Sequence, residues 1–254
     1  MKLARYKLGD NAPAYGLIRG ENIYEVKGDI FSEYAPTGNQ YPLSQVKLLA
    51  PVTPSIIAAV GKNYYDHALE FDNTLPESPI IFFKPPTSVI GPEDAIVRPF
   101  ISTRVDYEGE LAMVVKKTAR CVDAADYKDY ILGYTILNDV TARDLQCKDG
   151  QWARAKGFDT FAPIGPVITD EVDASSLRIE TLLNGTTVQS SSTSKLLFSL
   201  GQVFEFITRF MTLRPGDVIA TGTPEGVGPM SSGDVVEVRI EGIGSLRNTV
   251  VDEA

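Results

Sequence analysis

The sequence predicts a β-rich α+β fold, and three observations carry that prediction. Short runs of strand-forming residues recur from Ile56 onward, helical spacing is confined to a few places, and the regular strand–helix alternation of a doubly wound sheet is missing. With 254 residues, 43% of them hydrophobic and 22% charged, the chain has the balance of an ordinary globular protein and the length to bury a sizeable core.

Residues 1–50 alternate short apolar stretches with turns at Arg19-Gly-Glu-Asn22 and Pro36-Thr-Gly-Asn39, and run into the Pro-bounded segment Leu48-Leu-Ala-Pro-Val-Thr-Pro54. That pattern reads as a small β-rich N-terminal domain and a linker, with a second domain over 51–254. In the second domain the strand-like runs are Ile56–Val60, Ile80–Phe83, Leu111–Val115, Gly133–Asn138, Val218–Ala220 and Val235–Ile240. The best helix is Leu197 to Met211, whose apolar residues fall mostly three and four apart; it ends near Leu213-Arg-Pro-Gly216.

The formal charge is −9, and no basic run is long enough to track a phosphate backbone or an anionic lipid surface. Nucleic acid and membrane are therefore not expected as partners. The N-terminus has no apolar core of signal-peptide length, and Ser55–Val60 falls far short of a membrane span, so a cytoplasmic location is expected. Cys121 and Cys147 lack the spacing of a zinc site or a disulfide framework and read as ordinary thiols.

In Val105-Asp-Tyr-Glu-Gly-Glu-Leu111 the acids fall at 106, 108 and 110, and the period of two in a strand sends all three to one face. Carboxylates so close repel unless one is protonated or a cation lies between them, and Gly109 opens space there. A solvated edge strand is the plain alternative. Asp139 adds a third acid: it closes the apolar run from Tyr134 and precedes Thr141-Ala-Arg-Asp144, which has capping-box spacing, so it is expected at a strand-to-helix corner. Glu108, Glu110 and Asp139 would suit Mg²⁺ or Mn²⁺ better than zinc.

His67 is the only histidine, which excludes a multi-histidine metal site. It lies three residues before Glu70; on a helix the two share a face, as an ordinary surface pair or as a carboxylate-backed imidazole suited to activating water. Gly61 and Lys62 lead into this segment as a loop, in the manner of a lid. Arg143 and Gln146 are three apart on the helix after Asp139, and Lys156 precedes Gly157; each also has an ordinary surface reading. The loop Thr221–Gly228 lacks the ending of a phosphate loop, and a tight turn offering backbone N–H groups and Thr223 to an anion is the modest alternative.

Taken in order, Gly61-Lys-Asn-Tyr-Tyr-Asp-His67, Pro79-Ile-Ile-Phe-Phe-Lys-Pro85, Glu108-Gly-Glu110, Asn138-Asp-Val-Thr-Ala-Arg-Asp-Leu-Gln146, Lys156-Gly-Phe-Asp159 and Gly222-Thr-Pro-Glu-Gly-Val-Gly228 resemble the fumarylacetoacetate hydrolase family across about residues 56 to 250. The pattern is most similar to its smaller members, the acylpyruvate hydrolases, oxaloacetate decarboxylases and 2-hydroxyhepta-2,4-diene-1,7-dioate isomerases. The resemblance implies a mixed β-sandwich roll with a small N-terminal domain, and a homodimer. It implies Glu108, Glu110 and Asp139 as ligands of Mg²⁺ or Mn²⁺, His67 with Glu70 as a catalytic dyad on a lid, and Lys156 as a catalytic cation. Arg143, Gln146 and Thr223 match substrate-binding positions. The segment from Phe71 to Ser78 departs from the pattern and leaves the distal part of the substrate open.

The activity so implied is metal-dependent C–C hydrolysis of an acylpyruvate, a small 2-oxo acid, through a pyruvate enolate. Decarboxylation of oxaloacetate and isomerisation or tautomerisation of a 2-hydroxy-diene-dioate are alternative exits from the same enolate, and the His67/Glu70 pair favours hydrolysis or decarboxylation. A non-catalytic ligand-binding member is a further alternative; retention of all three carboxylates speaks against it. A zinc peptidase or phosphatase would lack ligands.

Overall fold

The computed structural model describes residues 1–66 and 75–254. Five strands form from the first fifty residues: β1 (Lys2–Lys7), β2 (Ala14–Arg19), β3 (Asn22–Gly28), β4 (Tyr34–Pro42) and β5 (Lys47–Leu49). The turn signals at Arg19–Asn22 and around Gly38 fall at or within these strands, and β2 and β3 pair antiparallel across the first of them.

The further strands of the remainder include all six expected runs, with small shifts of boundary, and others that the sequence reading left out. They are β6 (Ile57–Gly61), β7 (Ile80–Lys84), β8 (Val89–Ile90), β9 (Ala95–Arg98), β10 (Val105–Tyr107), β11 (Gly109–Val115), β12 (Ile131–Asn138), β13 (Thr141–Ala142) and β14 (Ala162–Thr169). After them come β15 (Arg178–Leu183), β16 (Thr186–Ser192), β17 (Val218–Ala220), β18 (Gly228–Met230), β19 (Val235–Ile240) and β20 (Gly244–Asp252). Among the described residues helices are few: α1 (Arg143–Asp149), the single turn α2 (Ala153–Lys156) and α3 (Leu200–Phe210). The fold is thus α+β and β-rich.

Among the described residues the strands make three sheets. The largest has twelve strands and runs β4-β3-β2-β1-β14-β12-β11-β17-β6-β7, with β5 also paired to β1 and β8 to β14. A five-stranded sheet runs β16-β15-β19-β20-β9, and a small one runs β13-β10-β18. The N-terminal strands are continuous with the large sheet, because β1 pairs antiparallel with β14 at Lys2↔Thr169 and Leu3↔Ile168.

The strands at the centre of the large sheet are buried on both faces. Every residue of β11 and β12 is buried, which explains why they read as unbroken apolar runs rather than as alternating ones. On one face Leu111 and Met113 pack with Val203, Phe204 and Ile207 of α3; on the other Ala112 and Val114 pack with Ile57, Ile164 and Val218. Helix α3 opens on Ser199, whose hydroxyl accepts the Gln202 N–H while the Gln202 side chain accepts from the Ser199 N–H, a capping box that starts the helix three residues after the expected Leu197. None of the described helices is long and apolar enough to cross a membrane.

Candidate functional site

Glu108 stands where the chain passes from one sheet to another. β10 pairs with β13 and β18, whereas β11 pairs with β12 and β17, so the residue between them faces the gap between sheets. The adjoining Gly109 is required by packing: a Cβ there would lie 2.3 Å from the Thr181 Oγ1 and 2.9 Å from Val238. The space expected at Gly109 is therefore filled by the neighbouring sheet, and the open volume lies elsewhere.

Asp139 follows the last residue of β12. Its N–H donates to the Glu108 carbonyl at 2.8 Å, and the Glu108 N–H donates to the Asn138 Oδ1 at 2.9 Å, which locks the two segments in register beside the pairing Gly109↔Asn138. Asp139 does occupy a corner, but not through a capping box. Thr141 and Ala142 are strand, the Thr141 hydroxyl donates back to the Asp139 carbonyl, and α1 begins at Arg143 with no side-chain cap. Asp144 accepts from Ser102 and Thr103 instead.

These connections bring Glu108, Glu110 and Asp139 together, with one oxygen of each within 4.8 Å of the others. They are 4%, 1% and 1% exposed, which rules out the solvated edge strand. Asp106 is the exception to the expected common face. The break at Glu108 leaves it outside the triad, where its buried carboxylate accepts from the Arg143 Nε at 2.9 Å and from Arg104 at 2.8 and 3.1 Å.

Three cations answer the triad. Lys156, the last residue of α2, donates to Glu108 at 2.7 Å and to Asp139 at 2.5 Å; Lys84, at the end of β7, donates to the other Asp139 oxygen at 2.6 Å; and Arg143 pairs with Glu108. Burial lowers the Lys84 ammonium, Asp139 opposes that, and neighbouring Lys156 adds to it. Burial also pulls on Lys156, but Asp139 and Glu108 together outweigh it and hold that ammonium above its usual value. Lys156 is thus a firm cation suited to holding negative charge rather than a base. Glu110 lies well above the usual carboxylate range because it is fully buried beside Asp139 and Glu108, with Lys156 and the Gly222 N–H pulling the other way. A carboxyl raised by its own neighbours and by the loss of water is one that a cation would return to the charged form. The donor set, oxygen only, fits Mg²⁺ or Mn²⁺.

A cavity of about 220 Å³ opens beside the triad. Arg143, Gln146, Lys156 and Thr223 all line it, with Val60, Phe82 and Trp152 supplying apolar wall. The Arg143 Nη1 donates to the Gln146 Oε1 at 2.6 Å. Thr223 is held in place: its hydroxyl donates to the Gly109 carbonyl and accepts from the Gln189 amide. The Gly222 N–H, expected to face an anion, donates to Glu110 at 2.8 Å. At that residue φ is +98°, and a Cβ would come within 2.8 Å of Asn63, so glycine is needed twice over. Gly61 ends a strand rather than opening a loop, and its missing side chain makes room for Trp152, which packs edge-on to Phe82. His67 and Glu70, and the first half of the segment Phe71–Ser78, lie outside the described residues.

The profile described as fumarylacetoacetate (FAA) hydrolase, C-terminal, matches residues 56–251. The chain belongs to the fumarylacetoacetate hydrolase family. A second profile, Rv2993c-like, N-terminal, matches residues 1–51. The oxaloacetate tautomerase of Rattus norvegicus, described as mitochondrial, is 40% identical over 92% of this chain and 78% of its own. The 2-hydroxyhepta-2,4-diene-1,7-dioate isomerase of Mycobacterium marinum is 44% identical, superposes with a TM-score of 0.94, and is matched over 100% of this chain and 99% of its own. A maleylpyruvate hydrolase of Sphingobium sp. SYK-6, solved with manganese(II) and pyruvate, is 31% identical with a TM-score of 0.83 over the full length of both chains. Members of this family thus include isomerases, tautomerases and hydrolases of small organic acids.

Two site residues of this family member escape the sequence reading. Lys84 lies within a quoted motif but carries no assigned role, although a lysine inside Ile80-Ile-Phe-Phe-Lys84-Pro is itself a signal, since a charge there must find a buried partner. Gln189 accepts from the Gly109 N–H and the Thr181 hydroxyl while donating to Thr223 and the Pro224 carbonyl; nothing in its surface-like surroundings Val188-Gln-Ser190 marks it.

Proposed function

We propose that this chain is a divalent-metal-dependent enzyme that converts small 2-oxo acids through their enolates. The observation that carries the reading is the buried triad of Glu108, Glu110 and Asp139 flanked by Lys156 and Arg143 on the wall of one small cavity. When bound, a cation held by these three carboxylates supplies a Lewis acid for the C1 carboxylate and the 2-oxo oxygen of the substrate.

The remaining work falls to the chain's own side chains. Arg143, braced by Asp106 and Gln146, orients the substrate carboxylate. Lys156 lies 5.0 Å from the centre of the Phe82 ring and holds the negative charge that develops on O2 when C3 loses a proton. Val60, Phe82 and Trp152 exclude water from that charge, so a fixed cation counts for more than it would in solution.

Enol–keto conversion or isomerisation is the exit we place first, because it needs only proton transfer between O2 and the carbon chain, with no C–C bond broken, and because the relatives bearing such names, at 40% and 44% identity, are more similar than the hydrolase at 31%. Hydrolysis of an acylpyruvate is the second reading: it adds a water activated by His67 with Glu70, the dyad assigned by resemblance. Oxaloacetate, the diene-dioate and maleylpyruvate each carry two carboxylates, which favours small diacids. We also infer a homodimer, a cytoplasmic location, and a division into an N-terminal domain (1–50) and a catalytic domain (51–254).

The test is decay of enol-oxaloacetate and release of pyruvate from acetylpyruvate and from oxaloacetate, each with Mg²⁺, Mn²⁺ or EDTA. Faster metal-dependent enol decay supports the first exit and pyruvate release the others; no metal-dependent change in any of them overturns the reading.

A further inference from the structure

We propose that Gln189 is a positioning residue that sets the size of cation the triad accepts, favouring Mg²⁺ and Mn²⁺ over the larger Ca²⁺; the inference rests on the metal reading of the three carboxylates. Gln189 belongs to β16, at the edge of the five-stranded sheet, and so reaches the site from outside the sheet that carries Glu110. It is 1% exposed, although Thr186, Thr187 and Ser190 of the same strand are exposed. A β-bulge turns it inward: pairing with β15 steps from Thr181↔Gln189 to Leu182↔Thr187, which makes Val188 the extra residue. The loop after β17 packs onto that bulge, and a Cβ at Gly226 would lie 2.4 Å from the Val188 carbonyl oxygen.

The Gln189 amide has all its hydrogen-bonding positions in use. Its oxygen accepts from the Gly109 N–H at 3.1 Å and from the Thr181 hydroxyl at 2.6 Å, and its nitrogen donates to the Thr223 hydroxyl and the Pro224 carbonyl, both at 2.9 Å. The Gly109 N–H can only donate and the Pro224 carbonyl can only accept, so the amide has one orientation. The Thr223 hydroxyl closes a ring by donating to the Gly109 carbonyl at 3.0 Å.

The residues in that ring decide where the ligands stand. Gly109 joins Glu108 to Glu110, and Gly222, next to Thr223, donates its N–H to the Glu110 carboxylate. Gln189 thus ties both segments that hold Glu110, and with them the separation of Glu110 from Glu108. Mg²⁺ demands oxygens at about 2.0–2.1 Å in near-octahedral order, whereas Ca²⁺ accepts looser sets at about 2.3–2.6 Å. Carboxylates that cannot spread therefore select against Ca²⁺, and a triad freed from the ring loses that selection.

The test is Mn²⁺ binding to the full chain, followed by the electron paramagnetic resonance signal of the free ion, with Mg²⁺ and Ca²⁺ as competitors. Wild type should favour Mg²⁺ over Ca²⁺. Gln189→Met, similar in length but without the amide, should bind Mn²⁺ roughly ten- to a hundredfold more weakly, as loss of a partner that orients metal ligands implies, and should lose most of the preference for Mg²⁺. Thr181→Val should shift both in the same direction by less, and Thr181→Ser, which keeps the hydroxyl, should restore them; this pair carries the test if Gln189→Met does not fold. Asn248→Leu removes another buried amide, one that donates to the Gly91 and Asp94 carbonyls. It should lower Tm and leave the Mg²⁺-to-Ca²⁺ ratio as it is, since a merely structural loss weakens every cation alike. A wild-type preference for Ca²⁺, a ratio unchanged in the folded Gln189 and Thr181 variants, or the same change in Asn248→Leu overturns the proposal while the metal reading stands. Wild type that binds no Mn²⁺ overturns both.

Discussion

Replacing Glu110 by glutamine should stabilise the metal-free protein and do so increasingly as pH rises. The carboxyl is almost fully buried, and at the 4.8 Å that bounds the three ligand atoms two carboxylates repel by about 3.5 kcal/mol at an effective dielectric constant near 20. With burial added, the folded state holds the Glu110 proton well past the pH at which the unfolded chain releases it. A group whose value is raised on folding contributes stability that is complete below its unfolded value and is lost as pH climbs through the folded one. Within that window wild type loses about 1.4 kcal/mol per pH unit relative to Glu110→Gln, which has no proton to hold. Between pH 5 and 7 the variant should gain at most about 2.7 kcal/mol, or roughly 5–10 °C in Tm for a chain of this length. Glutamine can still accept the Gly222 N–H, so the substitution removes charge and little else. The assay is a set of thermal melts in EDTA across that range, repeated with Mg²⁺. In Mg²⁺ wild type should gain stability with rising pH, since the cation takes the charged carboxylate, and the variant should gain little. Parallel pH curves for the two proteins in EDTA would refute the argument.

Lys84→Met should cost about 3–5 kcal/mol in EDTA, the usual loss when one partner of a buried ion pair is removed, and clearly less in Mg²⁺, where Asp139 gains another cation; equal losses by chemical denaturation in both conditions would contradict the pairing. Gly109→Ala should destabilise by at least about 1–3 kcal/mol through overpacking against Thr181 and Val238, and a Tm within a degree of wild type would show that the sheets part more readily than the contacts indicate. His67→Ala should keep Mn²⁺ binding and lose most acylpyruvate hydrolysis while retaining enol–keto conversion; unchanged hydrolysis would remove His67 from water activation.

The triad was legible in the sequence because its parts are local. Glu108 and Glu110 flank Gly109 where β10 gives way to β11, and Asp139 closes an apolar run, so closeness in sequence and residue type point to all three. Lys84 was not, because the carboxylate that explains it lies 55 residues away and only the pairing of β6 with β7 and β17 carries it there. Asp106 misled for the opposite reason. Period-two reasoning holds only while a strand continues, and nothing in Asp106-Tyr-Glu-Gly-Glu110 announces that the chain changes sheets at its centre. The reading of Thr141 failed similarly: a spacing suited to a helix cap was used for a two-residue strand, because pairing with β10 offered the Thr141 backbone a better partner than the helix did. The long helix was legible to within three residues, since a buried amphipathic face and a capping box agree there.

The seam between β1 and β14 has a consequence for how this architecture tolerates truncation. A chain lacking its first few residues would leave the main-chain N–H and C=O groups around Ile168 and Thr169 without the strand that now covers them. Bare strand margins of that kind recruit other chains by the same hydrogen bonds they have lost. The N-terminal strands thus act as a selvedge for the sheet that carries the site, and their removal would show first as self-association, with the carboxylate triad still in place.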